Sequence, residues 1–153
     1  MMSELTFEMI NRGDYLLRFD DKEILVKRNH GGFIFTSKFF INKEHILTSK
    51  LKQILFYRKL KIEFSKFIPE ISMIDNNTFR INNEIITHRY KALNINPNYS
   101  FYSNNNLILE CYVPKIFSSN KKYRLLVYNK NENMIAYIIC FFIIFSLDNI
   151  SIE

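Results

Sequence analysis

The chain has 153 residues, 48% of them hydrophobic, and its 15 Phe and 9 Tyr can fill a core, which excludes extended disorder. With only three Gly and three Pro, long flexible linkers are not expected, and we predict a single domain over 1–153. The net charge is +6, and the excess lies mainly in 50–66, where six basic side chains accompany one acidic residue, Glu63.

Alternation of apolar and polar residues predicts β-strands along most of the chain. The clearest example is 59–65, Lys-Leu-Lys-Ile-Glu-Phe-Ser, which has the pattern of a half-buried strand. Short groups of Asn, Asp and Gly between the strands are typical of turns. The stretch 44–57 is compatible with either a strand or a short helix. In chain order, the predicted strands are 4–10, 14–19, 23–28, 33–41, 59–65, 78–81, 84–92, 99–103, 107–113 and 122–128.

The last predicted element is the uncharged stretch 134–147. Asn and Glu before it favour a helix start, so we expect a helix at about 133–148. Fourteen helical residues reach about 21 Å, which disfavours a span of a bilayer core roughly 30 Å thick. Fourteen residues are also long for a buried strand. Because a helix that is apolar on every side must be covered on every side, we expect the β-sheet to close around it.

The end of the chain also carries a recognisable order of elements. The strand Tyr-Arg-Leu-Leu-Val-Tyr at 123–128 precedes an Asn-rich turn at 129–133 and the apolar stretch, which ends Leu-Asp-Asn-Ile at 147–150. This order resembles the C-terminus of the tubby-like superfamily, which includes tubby domains, phospholipid scramblases and LURP-one-related proteins with their bacterial relatives. The resemblance implies a mainly β fold (α+β by content), a closed antiparallel barrel of about twelve strands around the hydrophobic C-terminal helix.

Binding of anionic phospholipid is the function that the resemblance and the local charge favour. The basic stretch could attract the phosphates of a membrane surface. Its alternative interpretation is a solvated sheet edge that lysines keep from aggregating. The residues predicted to contact phosphate or lipid headgroups are Lys50, Lys52, Arg58, Lys59 and Lys61.

No sequence motif indicates an enzyme, a metal site or a cofactor. His30, His45 and His88 lack metal-ligand spacing, and Cys111 and Cys140 lack Cys-x-x-Cys spacing and a clear His partner. Such cysteines are most often buried free thiols, which favours a reducing cytoplasm. Nucleic acid is a less favoured partner, although Phe56 and Tyr57 stand beside Arg58 and Lys59 and could stack on bases.

We therefore expect a non-catalytic, cytoplasmic domain that can lie at the membrane periphery. The alternative is a protein–protein interaction module, such as a small bacterial partner or immunity-type protein. A bacterial source is favoured by the abundance of Asn, Lys and Ile, which is typical of AT-rich genomes.

Overall fold

The computed structural model describes residues 3–11, 14–19, 22–55, 57–75, 77–90, 99–112, 123–128 and 131–146. Within them the chain forms twelve β-strands followed by one α-helix, so the mainly β fold with a C-terminal helix is confirmed. The strands are β1 Ser3–Asn11, β2 Asp14–Phe19, β3 Lys22–Gly31, β4 Ile34–Ile41, β5 Glu44–Ile54, β6 Tyr57–Ser65, β7 Ile71–Asp75, β8 Thr78–Ile81, β9 Glu84–Tyr90, β10 Tyr99–Ser103, β11 Asn106–Tyr112 and β12 Tyr123–Val127, and the helix is α1 Glu132–Ser146.

All twelve strands belong to one antiparallel sheet, in the order β6-β5-β4-β3-β2-β1-β12-β11-β10-β9-β8-β7. Strands that are neighbours in sequence pair with each other, except β6 and β7, and the pairing of β1 with β12 joins the two halves of the chain. In the ambiguous stretch 44–57, Glu44–Ile54 is the strand β5, and Tyr57 begins β6. Residues 91–92, 113, 122 and 147–148, at the ends of predicted elements, lie outside the described residues.

The predicted closed barrel is wrong, because the sheet is open between its end strands β6 and β7. These strands lie near each other, yet no ladder of hydrogen bonds joins them anywhere in the described segment 57–75. After β6 the backbone turns towards the helix, where the Phe67 N–H donates to the Tyr137 hydroxyl at 3.1 Å. The helix therefore takes a hydrogen bond that a strand partner would otherwise receive.

The helix α1 forms the centre of the hydrophobic core. None of residues 134–144 is more than 5% exposed, as expected for a helix that is apolar on every side. Rings from β8 and β10 pack on it, with centroids 4.2 Å apart for Phe79 and Phe141 and 5.4 Å apart for Tyr99 and Phe142. The side chain of Asn131 caps the helix by accepting from the Met134 N–H at 3.1 Å.

The length of α1 bears on whether it could cross a membrane. No helix in the described part of the chain combines the length and the hydropathy needed to cross a membrane.

Candidate functional site

The ladder between β5 and β6 brings four of the predicted site residues face to face. Lys50 lies directly opposite Lys61, and Lys52 lies directly opposite Lys59. All four side chains are exposed, while Leu51 between the β5 lysines is buried, so the lysines share the outer face of the sheet. We call Lys50, Lys52, Lys59 and Lys61 the lysine quartet.

The geometry of a β-ladder concentrates positive charge within the quartet. Opposed Cβ atoms lie about 5 Å apart, and same-face neighbours along one strand lie about 7 Å apart. Glu63, in a bulge of β6, pairs with Lys50 at 3.0 Å. Elsewhere in the described chain, no acidic side chain lies within ion-pair distance of Lys52, Lys59 or Lys61. Most of the quartet's charge is therefore open to solvent.

Arg58, the fifth predicted contact, is not brought together with the quartet. It shares the inward side of β6 with Leu60, and it lies opposite the half-buried Gln53. Burial lowers the pKa of its guanidinium, and the nearby Tyr99 partly offsets that effect. Because side chains alternate along a strand, the parity of residues 58 to 61 already separates Arg58 from Lys59 and Lys61.

A third pair of opposed lysines was missed by the sequence reasoning. Lys27 on β3 lies opposite Lys38 on β4, and both are exposed on the same outer face as the quartet. The Lys27 Nζ lies 5.7 Å from the centre of the Phe40 ring. Residues 1–49 carry balanced charge, which concealed this pair. The signal that could have found Lys38 is its position beside the inward-facing Phe39 in an alternating strand.

Large apolar side chains are exposed at the end of the sheet next to the quartet. They occupy the β3–β4 and β5–β6 hairpin ends, which are tied together because the Gln53 N–H donates to the Phe33 carbonyl at 3.0 Å. Ile34 lies directly opposite Lys52, so the apolar side chains adjoin the lysines. We call this group the apolar tip. Its members and their exposed fractions are Phe33 62%, Ile34 43%, Ile54 36%, Leu55 86% and Tyr57 56%.

The histidines and cysteines are dispersed. His45 stacks on Phe64 with ring centroids 4.7 Å apart, and burial with a nearby arginine lowers the pKa of His88 to about 4. The side chain of His30 lies outside the described residues. Cys111 and Cys140 are free thiols whose pKa burial raises. Among the described residues, no three His, Cys, Asp or Glu side chains are grouped as metal ligands would be.

The fold and this surface together define a class of protein. It is a mainly β domain with an enclosed C-terminal helix, and its outer face is rich in lysine beside an apolar tip. Comparison with protein-family models, with curated proteins and with solved structures finds no match.

Proposed function

We propose that the chain is a non-catalytic, tubby-like domain that binds anionic phospholipid at the cytoplasmic surface of a membrane through the lysine quartet. The observation that carries this proposal is the direct opposition of Lys50 to Lys61 and of Lys52 to Lys59. Like charges placed opposite each other on a sheet destabilise the fold. An anionic surface removes that repulsion, so the bound state gains what the isolated fold loses.

The tubby-like part of the proposal is supported by the order of elements. In the described part of the chain, twelve strands precede a C-terminal helix whose residues 134–144 are buried, and Asn131 caps the start of that helix. A closed barrel is not part of the proposal.

Protection of a sheet edge explains only half of the quartet. Lys59 and Lys61 lie on β6, an end strand, where lysine discourages pairing with another chain. Lys50 and Lys52 lie on β5, which is paired with β4 on one side and β6 on the other. These two lysines are therefore not on an edge strand, and edge protection does not explain them. A binding role accounts for all four lysines.

The size of the expected effect follows from the number of lysines that can contact headgroups. Each basic residue close to an anionic leaflet contributes about 1 kcal/mol. Because Glu63 partly neutralises Lys50, we count three full contributions, about 3 kcal/mol or roughly 100-fold in partitioning. Exposed charges are screened by salt, so binding should weaken steeply as ionic strength rises.

Vesicle flotation tests the proposal. The wild-type chain should float with phosphatidylcholine vesicles that contain phosphatidylserine, at low salt, and not with phosphatidylcholine alone. The variant K52Q/K59Q/K61Q should bind roughly 100-fold more weakly.

The matched control removes the same net charge elsewhere on the sheet. R18Q/R80Q/R124Q changes three exposed arginines on β2, β8 and β12, whereas the lysine quartet lies on β5 and β6. We expect it to retain binding within a fewfold of wild type. Equal losses in the two variants would mean that net charge alone drives adsorption, and no binding of the wild-type chain at low salt would refute the proposal.

A further inference from the structure

Leu55 lies at a position where leucine is unfavourable in both backbone conformation and solvent exposure. It is 86% exposed and has φ of +52°, in the left-handed region. At the other described non-glycine positions with positive φ the chain uses only Asn or Lys: Asn42, Lys43, Asn82, Asn104 and Asn105. Those residue types tolerate the left-handed region or prefer solvent, whereas Leu does neither. The leucine is therefore best explained by a contact outside the molecule.

The residues around Leu55 at the two hairpin ends are apolar and exposed as well. Ile54 lies directly opposite Tyr57 at the end of the β5–β6 ladder, and Phe33 is held to the same end by the hydrogen bond from the Gln53 N–H. Both hairpins are anchored in the twelve-stranded sheet, so the apolar tip is presented on a rigid support. Contiguous exposed apolar groups of this kind mark interaction sites.

The lysines beside the tip identify the chemistry of the surface that covers it. Lys59 follows Tyr57 by two residues on the same strand, and Lys61 follows Lys59 by two more. At 3.3 Å per residue, the pair Lys52 and Lys59 lies about 7 Å behind Tyr57, and the pair Lys50 and Lys61 lies about 13 Å behind it. For comparison, amphipathic helices that lie on membranes bury their apolar side about 5–10 Å into the boundary between headgroups and acyl chains. The distance of about 7 Å from Tyr57 to Lys52 and Lys59 lies within this range of depths.

We propose that the apolar tip inserts into the interface of an anionic bilayer. The strands β5 and β6 then run along the membrane normal, and Lys52 and Lys59 lie at the level of the lipid phosphates. This inference rests on the proposed function and adds an orientation and an apolar component to it. Leu55 and Phe33 enter deepest, while Tyr57 remains at the interface, where its ring is apolar and its hydroxyl stays hydrated.

A single-tryptophan experiment tests the insertion. The chain contains no Trp, so Leu55→Trp introduces one reporter at the tip. On addition of phosphatidylcholine–phosphatidylserine vesicles, its emission should shift to the blue and be quenched by lipids brominated on the acyl chains. The matched control is Phe67→Trp, at a 43% exposed site beyond the opposite end of β6, and it should show neither change.

A second variant separates insertion from folding. Leu55→Asn places a residue suited to φ of +52° at the tip, so the fold should be as stable as wild type or more stable. Its partitioning into the same vesicles should nevertheless fall about tenfold, the contribution of one large apolar side chain. The loss should persist at salt concentrations that weaken the quartet's contribution.

The outcomes distinguish failure of this inference from failure of the proposed function. If wild type floats with anionic vesicles but the indole at position 55 is not quenched and Leu55→Asn binds normally, insertion is refuted while lysine-mediated adsorption stands. Quenching of the Phe67→Trp reporter instead would overturn the orientation. If wild type does not bind anionic vesicles at all, both proposals fail.

Discussion

Substitution of Tyr137 by Phe isolates the hydroxyl group that ties the helix to β5 and to the chain at the end of β6. The Tyr137 side chain is fully buried, and its hydroxyl lies 2.9 Å from the Ser65 Oγ and accepts from the Phe67 N–H at 3.1 Å. The Ile46 carbonyl oxygen is a further acceptor at 3.3 Å. Tyr137→Phe removes this oxygen and leaves the ring packing unchanged, so the measured loss reports the contact itself.

The magnitude follows from the partners that lose a hydrogen bond. A typical intramolecular hydrogen bond contributes about 1 kcal/mol, and a buried donor left without an acceptor costs about 1–3 kcal/mol. Phe67 is 43% exposed, so water can reach part of this region and the lower end of that range applies. We expect Tyr137→Phe to lower the free energy of unfolding by about 2 kcal/mol, equivalent to about 4–8 °C in Tm for a domain of this size.

Urea denaturation measures this difference, provided that the m-value is unchanged between the two proteins. Tyr57→Phe is the matched control, because Tyr57 is 56% exposed and the change should stay within about 0.5 kcal/mol. A loss below about 0.5 kcal/mol for Tyr137→Phe would refute the view that the helix replaces a strand partner at the opening between β6 and β7.

Three further predictions concern the helix cap, the thiols and the buried histidine. Asn131→Ala should lower stability by about 1 kcal/mol in the same denaturation assay, because the Met134 N–H loses its cap, and no change would contradict the assignment. Cys111 and Cys140 should resist a thiol reagent in the native protein and react after denaturation, since both are buried and burial raises the pKa of each thiol; rapid native labelling would contradict this. His88 has a folded pKa of about 4 against an ordinary value of 6.5, so the unfolded chain takes up the proton first. Stability should therefore fall as the pH drops from 6.5 towards 4, by up to about 3 kcal/mol, and His88→Gln should remove that part of the slope.

Most of the strands and the helix could be predicted because each follows a simple periodic pattern. The stretch 44–57 stayed ambiguous because β5 contains irregular pairing with both neighbours, which places four consecutive buried residues at 46–49 and breaks the alternation. The short strand β7, Ile71–Asp75, was missed. It has only five residues, and its partly exposed side chains give little contrast between the two faces.

The candidate surface was found in part, because local charge reveals a basic segment but not its pairing. Register decides that Lys50 meets Lys61, and register depends on the turn between β5 and β6. That turn places Leu55 at positive φ, where a sequence would ordinarily show Gly or Asn, so its position had no signal. The apolar tip was missed for the same reason, since exposed and buried leucines look alike in a sequence.

Closure of the sheet was a step beyond what burial of the helix requires. An apolar helix needs coverage by side chains, whereas a closed barrel also needs hydrogen bonds between the two end strands of the sheet, here β6 and β7. Here the Lys66 N–H donates to the Ile46 carbonyl at 2.9 Å, which extends the pairing with β5, while the Phe67 N–H donates to the Tyr137 hydroxyl of the helix. The Phe67 N–H thus bonds to the helix, and β6 remains an end strand of the sheet. Its lysines then both discourage pairing with another chain and, with their partners on β5, supply the proposed lipid contacts.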